Sequence, residues 1–349
     1  MLGASSYVVG LGETPYAARR DDANTTELAW EAVREALADA GAELGEITGV
    51  ISASQDFWEG RTISSMAVNE IAGATFKSES KVAADGALAV GYAAARIATG
   101  IDTLMIVVAH CKESQADAHA VENAAFDPLV QRPLDPDETV IAGLQAQLLG
   151  FDLAERARVV AAARSRSDWL GAIDPGAVAA SPETAAPLRE LERAPLMDGA
   201  CALVLCDEAT ARRLGKPGVR VAGVGTATDP YWADRDLISA PALKVAFRDA
   251  LGAAGWDDAP DHVELSAPFA HQALLFAREL GAGGAESFES GALAPTGGWL
   301  AGRPGVVAGL SGVIAGVRSL RGSSGRAVAH GVTGLLAQSH HVVCLEGAS

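Results

Sequence analysis

Few residues of this 349-residue chain combine a reactive type with an informative position. Asp85 stands directly before Gly86 and an alanine-rich run. There an aspartate reads first as a helix N-cap and second as a carboxylate placed for proton transfer. From Ser290 to Leu345 there is no Asp or Glu, yet four arginines occur, Arg303, Arg318, Arg321 and Arg326. In a chain of net charge −17 this stretch is electropositive. It reads equally as a surface for an anionic ligand or acidic partner and as the exposed basic face of a helix. Arg303 stays protonated and cannot serve as a base, but it can hold a carboxylate, a phosphate or a polarised oxygen. His110, His119, His262, His271, His340 and His341 lack metal-like grouping, and the adjacent pair points to opposite faces of a strand. Cys111, Cys201, Cys206 and Cys344 have neither zinc-like nor disulfide-framework spacing; Cys111 ends an apolar run and reads as packing, and Trp299 reads as core.

The elements that must position these residues are legible as a duplication. Ala32–Gly41 reads AVREALADAG and Ala246–Gly255 reads AFRDALGAAG, with six of ten positions identical. Both have helical apolar spacing and end on glycine. Each precedes a short apolar strand, Gly49–Ser52 or Val263–Ser266. Ala93, Arg96 and Gly100 recur at one fixed offset as Ala315, Arg318 and Gly322. Strands are expected at Ser6–Gly10, Gly49–Ser52, Ser80–Ala83, Thr103–Ala109, Val219–Gly225, Val263–Ser266 and Val342–Leu345. Strands alternating with helices imply an α/β fold with helix-covered sheets. Residues 1–111 plus 196–215 form a first half and 216–349 a second, with 112–195, rich in Asp-Pro turn signals, as a capping insertion.

The bulk properties limit the function classes. An acidic chain repels phosphate backbones, so nucleic acid is excluded as a partner. Pro304–Val317, uncharged but glycine-rich, is too short to span a bilayer, and residues 1–20 lack the pattern of a signal peptide. The expectation is a soluble cytoplasmic protein with reduced thiols.

Several motifs give the chain a family likeness. Val8-Val9-Gly10-Leu11-Gly12-Glu13-Thr14-Pro15-Tyr16, Ala36–Gly41 with Ile47–Val50, Pro187–Leu191, Pro195–Ala200, Thr296-Gly297-Gly298 and Gly302-Arg303-Pro304 occur in order. Together they resemble the thiolases of sterol-carrier-protein type and the bacterial "lipid-transfer" thiolases. The resemblance implies the thiolase fold, duplicated βαβαβ halves in a five-layer α-β-α-β-α sandwich. It implies a cysteine nucleophile at a strand-to-helix turn, and that position is Ala83 here. The His-Asp-x-Phe box of the family reads Ser266-Ala267-Pro268-Phe269, and its Gly-His-Pro box reads Gly302-Arg303-Pro304. The last active-site loop, Ala329-His330-Gly331-Val332-Thr333-Gly334, keeps His330 as the group able to titrate near neutral pH. Alanine cannot carry a thioester, so thiolase chemistry by this chain alone is not expected.

On this likeness, the substrate contacts are expected at Ser266, Phe269, Thr296, Gly297, Gly298, Arg303 and His330, with Asp85 and His330 as residual acid–base groups. No metal and no cofactor are expected beyond a coenzyme A thioester as ligand. Three functions compete. The first is a non-catalytic subunit of a thiolase heteromer in acyl-CoA or steroid side-chain metabolism; a homodimer is its simpler form. The second is an acyl-CoA retro-aldolase working with a small zinc-ribbon/OB-fold partner. The third is a lipid or acyl-CoA carrier.

Overall fold

The duplicated helices are docked by glycines. A Cβ on Gly10 or Gly12 would lie 2.2 or 1.9 Å from the carbonyl oxygens of Ala36 and Ala32; on Gly223 or Gly225 it would lie 2.3 or 2.0 Å from those of Ala250 and Ala246. Each strand therefore meets its helix backbone to backbone, through the same alanines that match in the repeat. Gly225→Ala is expected to cost about 1–3 kcal/mol by overpacking. Gly252→Ala, at an exposed helical site with nothing within 4 Å, is expected to gain up to about 1 kcal/mol. Chemical denaturation of the two variants measures both.

The computed structural model describes residues 5–347. The first half consists of β1 (Ser6–Glu13), α1 (Thr25–Ala40), β2 (Gly49–Ala53), α2 (Asp56–Glu59), β3 (Ser78–Val82), α3 (Gly86–Ala98) and β4 (Leu104–Lys112). The excursion that follows contains α4 (Ala118–Asn123), α5 (Glu138–Leu149), α6 (Leu153–Arg164), α7 (Pro175–Ala179) and a small pair of strands, β5 (Glu183–Ala185) and β6 (Leu188–Arg189). The chain returns through β7 (Asp198–Asp207) and α8 (Glu208–Leu214). The second half runs β8 (Val219–Thr228), α9 (Pro241–Ala254), β9 (His262–Glu264), α10 (Ala270–Glu279), α11 (Ala285–Ser290), α12 (Ala308–Leu320), β10 (Arg326–Thr333) and β11 (Ser339–Glu346).

The strands form one mixed sheet in the order β3-β2-β4-β7-β1-β8-β11-β10-β9. Among the described residues, its two halves pair only through Tyr7↔Arg220 and Val8↔Val219. Helix α1 covers one outer face and α9 with α10 the other, while α3 and α12 lie between the two half-sheets and touch strands of both. The layers follow the expected sandwich. The largest apolar cluster fills the central layer, where Ala89, Val90 and Ala93 of α3 meet Leu310, Val313 and Val317 of α12. The second half departs from the repeat most plainly at the sheet edge: among the described residues no strand matching β3 precedes α12, and β9 ends the sheet. The stretch Ala329–Gly334, read above as a loop, is strand as far as Thr333. Among the described residues no helix is long and apolar enough to cross a membrane.

Candidate active site

Strand β3 ends at Val82, and α3 starts at Gly86. In the turn between them, Asp85 caps the helix: its Oδ1 accepts the amide of Ala87 at 2.7 Å. Its other oxygen crosses to the second half and accepts the amide of Gly309, at the start of α12, at 2.8 Å. The backbone N–H of Asp85 donates to Thr333 Oγ1 at 2.9 Å, at the end of β10. Glycines make the room, since a Cβ on Gly309 or Gly331 would lie 1.9 or 2.1 Å from Asp85 Oδ1. The N-cap and the cavity carboxylate are thus one group. Burial pushes the carboxyl up to about 7 against the two amides that favour its charged form.

Ala83 and Asp85 line a cavity of about 420 Å³ between the halves. The excursion after β4 supplies much of its wall, including Glu113, Glu122, Glu138 and Arg193. Glu113 accepts the amides of Met197 at 2.7 Å and Gly305 at 3.2 Å. Burial lifts it to about 7, and those amides oppose the shift. Gly305 and Gly309 are about one helical turn apart, so the Glu113 and Asp85 anchors are separated by roughly 6 Å along that backbone. Glu138 accepts the amide of Leu336 at 3.0 Å, and burial with the neighbouring Glu122 charge raises it to about 7. Arg193 donates to Glu122 and, at 2.7 Å, to Thr139 Oγ1.

Leu196, Pro268 and Val332–Gly334 from the family-like motifs line this cavity, but Ser266, Phe269, Thr296, Gly297, Gly298, Arg303 and His330 do not. Strand alternation decides His330. Ala329 and Gly331 face the central layer, so His330 points to the outer helices, packed against Phe247 and Phe276 and stacked on His340. Burial drives it down to about 3, well below its ordinary range. The neighbour of His340 takes the other face, as alternation requires: His341 Nε2 lies 3.3 Å from Thr333 Oγ1.

Arg303 is buried and points into the protein, its Nε donating to Ser311 Oγ at 2.7 Å and its NH2 to Thr296 Oγ1 at 2.6 Å. Its guanidinium lies over Trp169, with Glu264 beside it at 3.9 Å. Ser311 passes the tie to Glu13 of β1. The side chain thus braces the two halves together. Arg303→Ala is expected to lower stability by about 3 kcal/mol, because it removes the buried donor to Ser311 and Thr296 and the positive charge beside Glu264, and to leave ligand affinity alone. Denaturation and calorimetric titration of the same variant separate the two effects.

Ser266 is buried with its hydroxyl unpartnered, and its amide lies 3.4 Å from His330 Nδ1. Phe269 packs in an apolar cluster under Arg193. Gly297 and Gly298 form a turn seated on the carbonyls of Ala163 and Leu265. Trp299 does line the cavity. Cys111 is buried, and burial pushes its thiol up. Among the described residues no cluster of three or more His, Cys, Asp or Glu could hold a metal.

No family model matches the chain, and no curated protein matches it in sequence. Solved structures do. The chain superposes on the "Ltp2-ChsH2(DUF35) aldolase" over 99% of both chains, with 20% identity and a TM-score of 0.79. It matches human mitochondrial 3-ketoacyl-CoA thiolase over 100% of both chains, with 16% identity and a TM-score of 0.78. The chain has the thiolase fold. A monomeric SCP2-thiolase like protein type 1 from Mycobacterium smegmatis is also similar, with 20% identity, a TM-score of 0.74 and coverage of 99% of this chain and 77% of that one. Within this thiolase fold the cavity sits at the turn before α3, with a methyl group at Ala83 and a carboxyl two residues on.

Proposed function

We propose that the chain is a carbon–carbon lyase of retro-aldol type. Its substrates are 3-hydroxyacyl thioesters of coenzyme A, and it works by carboxyl acid–base chemistry without an acyl-enzyme. One observation carries the reading: the turn that holds no nucleophile holds instead a buried carboxyl, balanced near neutral pH and facing the cavity. Asp85 takes the proton of the β-hydroxyl. The Cβ–O bond becomes a carbonyl, the Cα–Cβ bond breaks, and its electron pair moves into the thioester as an enolate. Protonated Glu113 then delivers a proton to Cα. A ketone or aldehyde and a shortened acyl thioester leave, and one proton passing from Asp85 to Glu113 resets the site. No oxidant or metal is needed.

Support comes also from a solved structure of similar fold that is named an aldolase. A small OB-fold partner belongs to the same proposal. The test incubates the chain, alone and co-expressed with such a partner, with branched and steroid side-chain 3-hydroxyacyl-CoAs, and measures carbonyl release. Cleavage supports the reading. Binding without turnover replaces it with the carrier role, and a covalent acyl adduct on Cys111 or Cys344 overturns it.

A second reading has its own observation. Strand β3 is a sheet edge with no neighbour on its outer side among the described residues, and Phe57, Met66 and Phe76 are exposed. A thiolase-like partner that covers this edge makes the chain a structural subunit. Co-expression with a cysteine-bearing homologue then gives one complex of equal stoichiometry, with activity that depends on the homologue's cysteine.

A further inference from the structure

The cavity is lined by five carboxyl side chains, Asp56, Asp85, Glu113, Glu122 and Glu138, against one cation, Arg193. Two of the five are matched: Lys81 bonds Asp56, and Arg193 bonds Glu122. Asp85, Glu113 and Glu138 are held by backbone amides alone. Glu138 uses only Oε1 in this way, and its second oxygen has no hydrogen-bond partner among the described residues. Much of the remaining wall is apolar, with Trp58, Trp299, Val306 and Leu335 among its residues. An anionic group drawn into this space loses its water and meets like charge with no free counterion. A hydrocarbon chain finds apolar walls, and a hydroxyl finds acceptors.

We propose that the cavity selects uncharged acyl chains bearing a hydroxyl remote from the thioester, and that it rejects acyl chains ending in a carboxylate. The proposal rests on the reading of the cavity as an acyl site, but not on whether the bound chain is cleaved. The probes are therefore pantetheine thioesters that lack a 3-hydroxyl and the phosphates of coenzyme A: hexanoyl, 6-hydroxyhexanoyl and adipoyl. Calorimetric titration of the intact chain at pH 8 is expected to give 6-hydroxyhexanoyl binding at least as tight as hexanoyl. Adipoyl is expected to bind about 100-fold more weakly. Glu138→Gln should narrow the gap between adipoyl and hexanoyl about tenfold by removing one of the three unmatched charges. A gap below about tenfold in the parent, or no binding of either neutral probe, overturns the proposal. If the binding order holds while no 3-hydroxyacyl thioester is cleaved, the lyase reading fails and this one stands.

Discussion

Asp85→Asn is expected to reduce carbonyl release from 3-hydroxyacyl thioesters by at least about 100-fold, the usual contribution of a positioned general base. Asparagine keeps the size of the side chain and can still accept from Ala87, so the turn keeps its cap. It cannot take a proton, and its Nδ2 faces the Gly309 amide as a second donor. The parent should show a bell-shaped profile of kcat/KM against pH. Asp85 acts ionised, so the rate rises as pH climbs towards its value of about 7. Glu113 acts protonated, so the rate falls above about 7. Two such groups give a narrow bell centred near neutrality. Glu113→Gln should lose rate and flatten the alkaline limb, a change that a purely structural role does not produce. Retention of more than a tenth of the activity in Asp85→Asn would remove Asp85 from the reaction.

The second large effect concerns the space Asp85 occupies. Gly331→Ala places a Cβ 2.1 Å from Asp85 Oδ1. Either the carboxyl leaves its seat or the strand shifts, so activity should vanish and stability should fall by roughly 2–3 kcal/mol. Asp85→Ala in the same chain removes the clashing atoms. The double variant is therefore expected to be more stable than the sum of the single changes by at least about 1 kcal/mol. Denaturation of the three variants decides it: strict additivity means that Asp85 is not seated between the halves.

The duplication was legible because it rests on local patterning. The alanines of Ala32–Gly41 and Ala246–Gly255 are spaced for a helix and sized for close docking, and Gly10, Gly12, Gly223 and Gly225 lie against them. Asp85 was legible as a cap, since that role depends on the next few residues only. The cavity wall was not. Glu113, Glu138 and Arg193 come from an excursion whose path no period encodes, and they meet Asp85 across large separations in sequence. One signal was present, a charged Lys112-Glu113 pair ending a nine-residue buried strand. His330 and Arg303 lie outside the cavity wall for a related reason. Their positions carried a motif, but side-chain direction follows strand parity for one and buried partners for the other.

The central helices also bear on descent. Helix α3 spans Gly86–Ala98 and α12 spans Ala308–Leu320, equal in length at one constant offset, and their closing glycines Gly100 and Gly322 share the left-handed conformation. At that offset Asp85 corresponds to Val307. An ancestral dimer of identical halves holds two equivalent turns, each facing the other's helix. Fusion removes the obligation to keep them alike. In this chain the turn before α3 carries Asp85, and the start of α12 offers it the Gly309 amide. The asymmetry is available only to a fused pair, because in a true homodimer any change made to one turn is made to both.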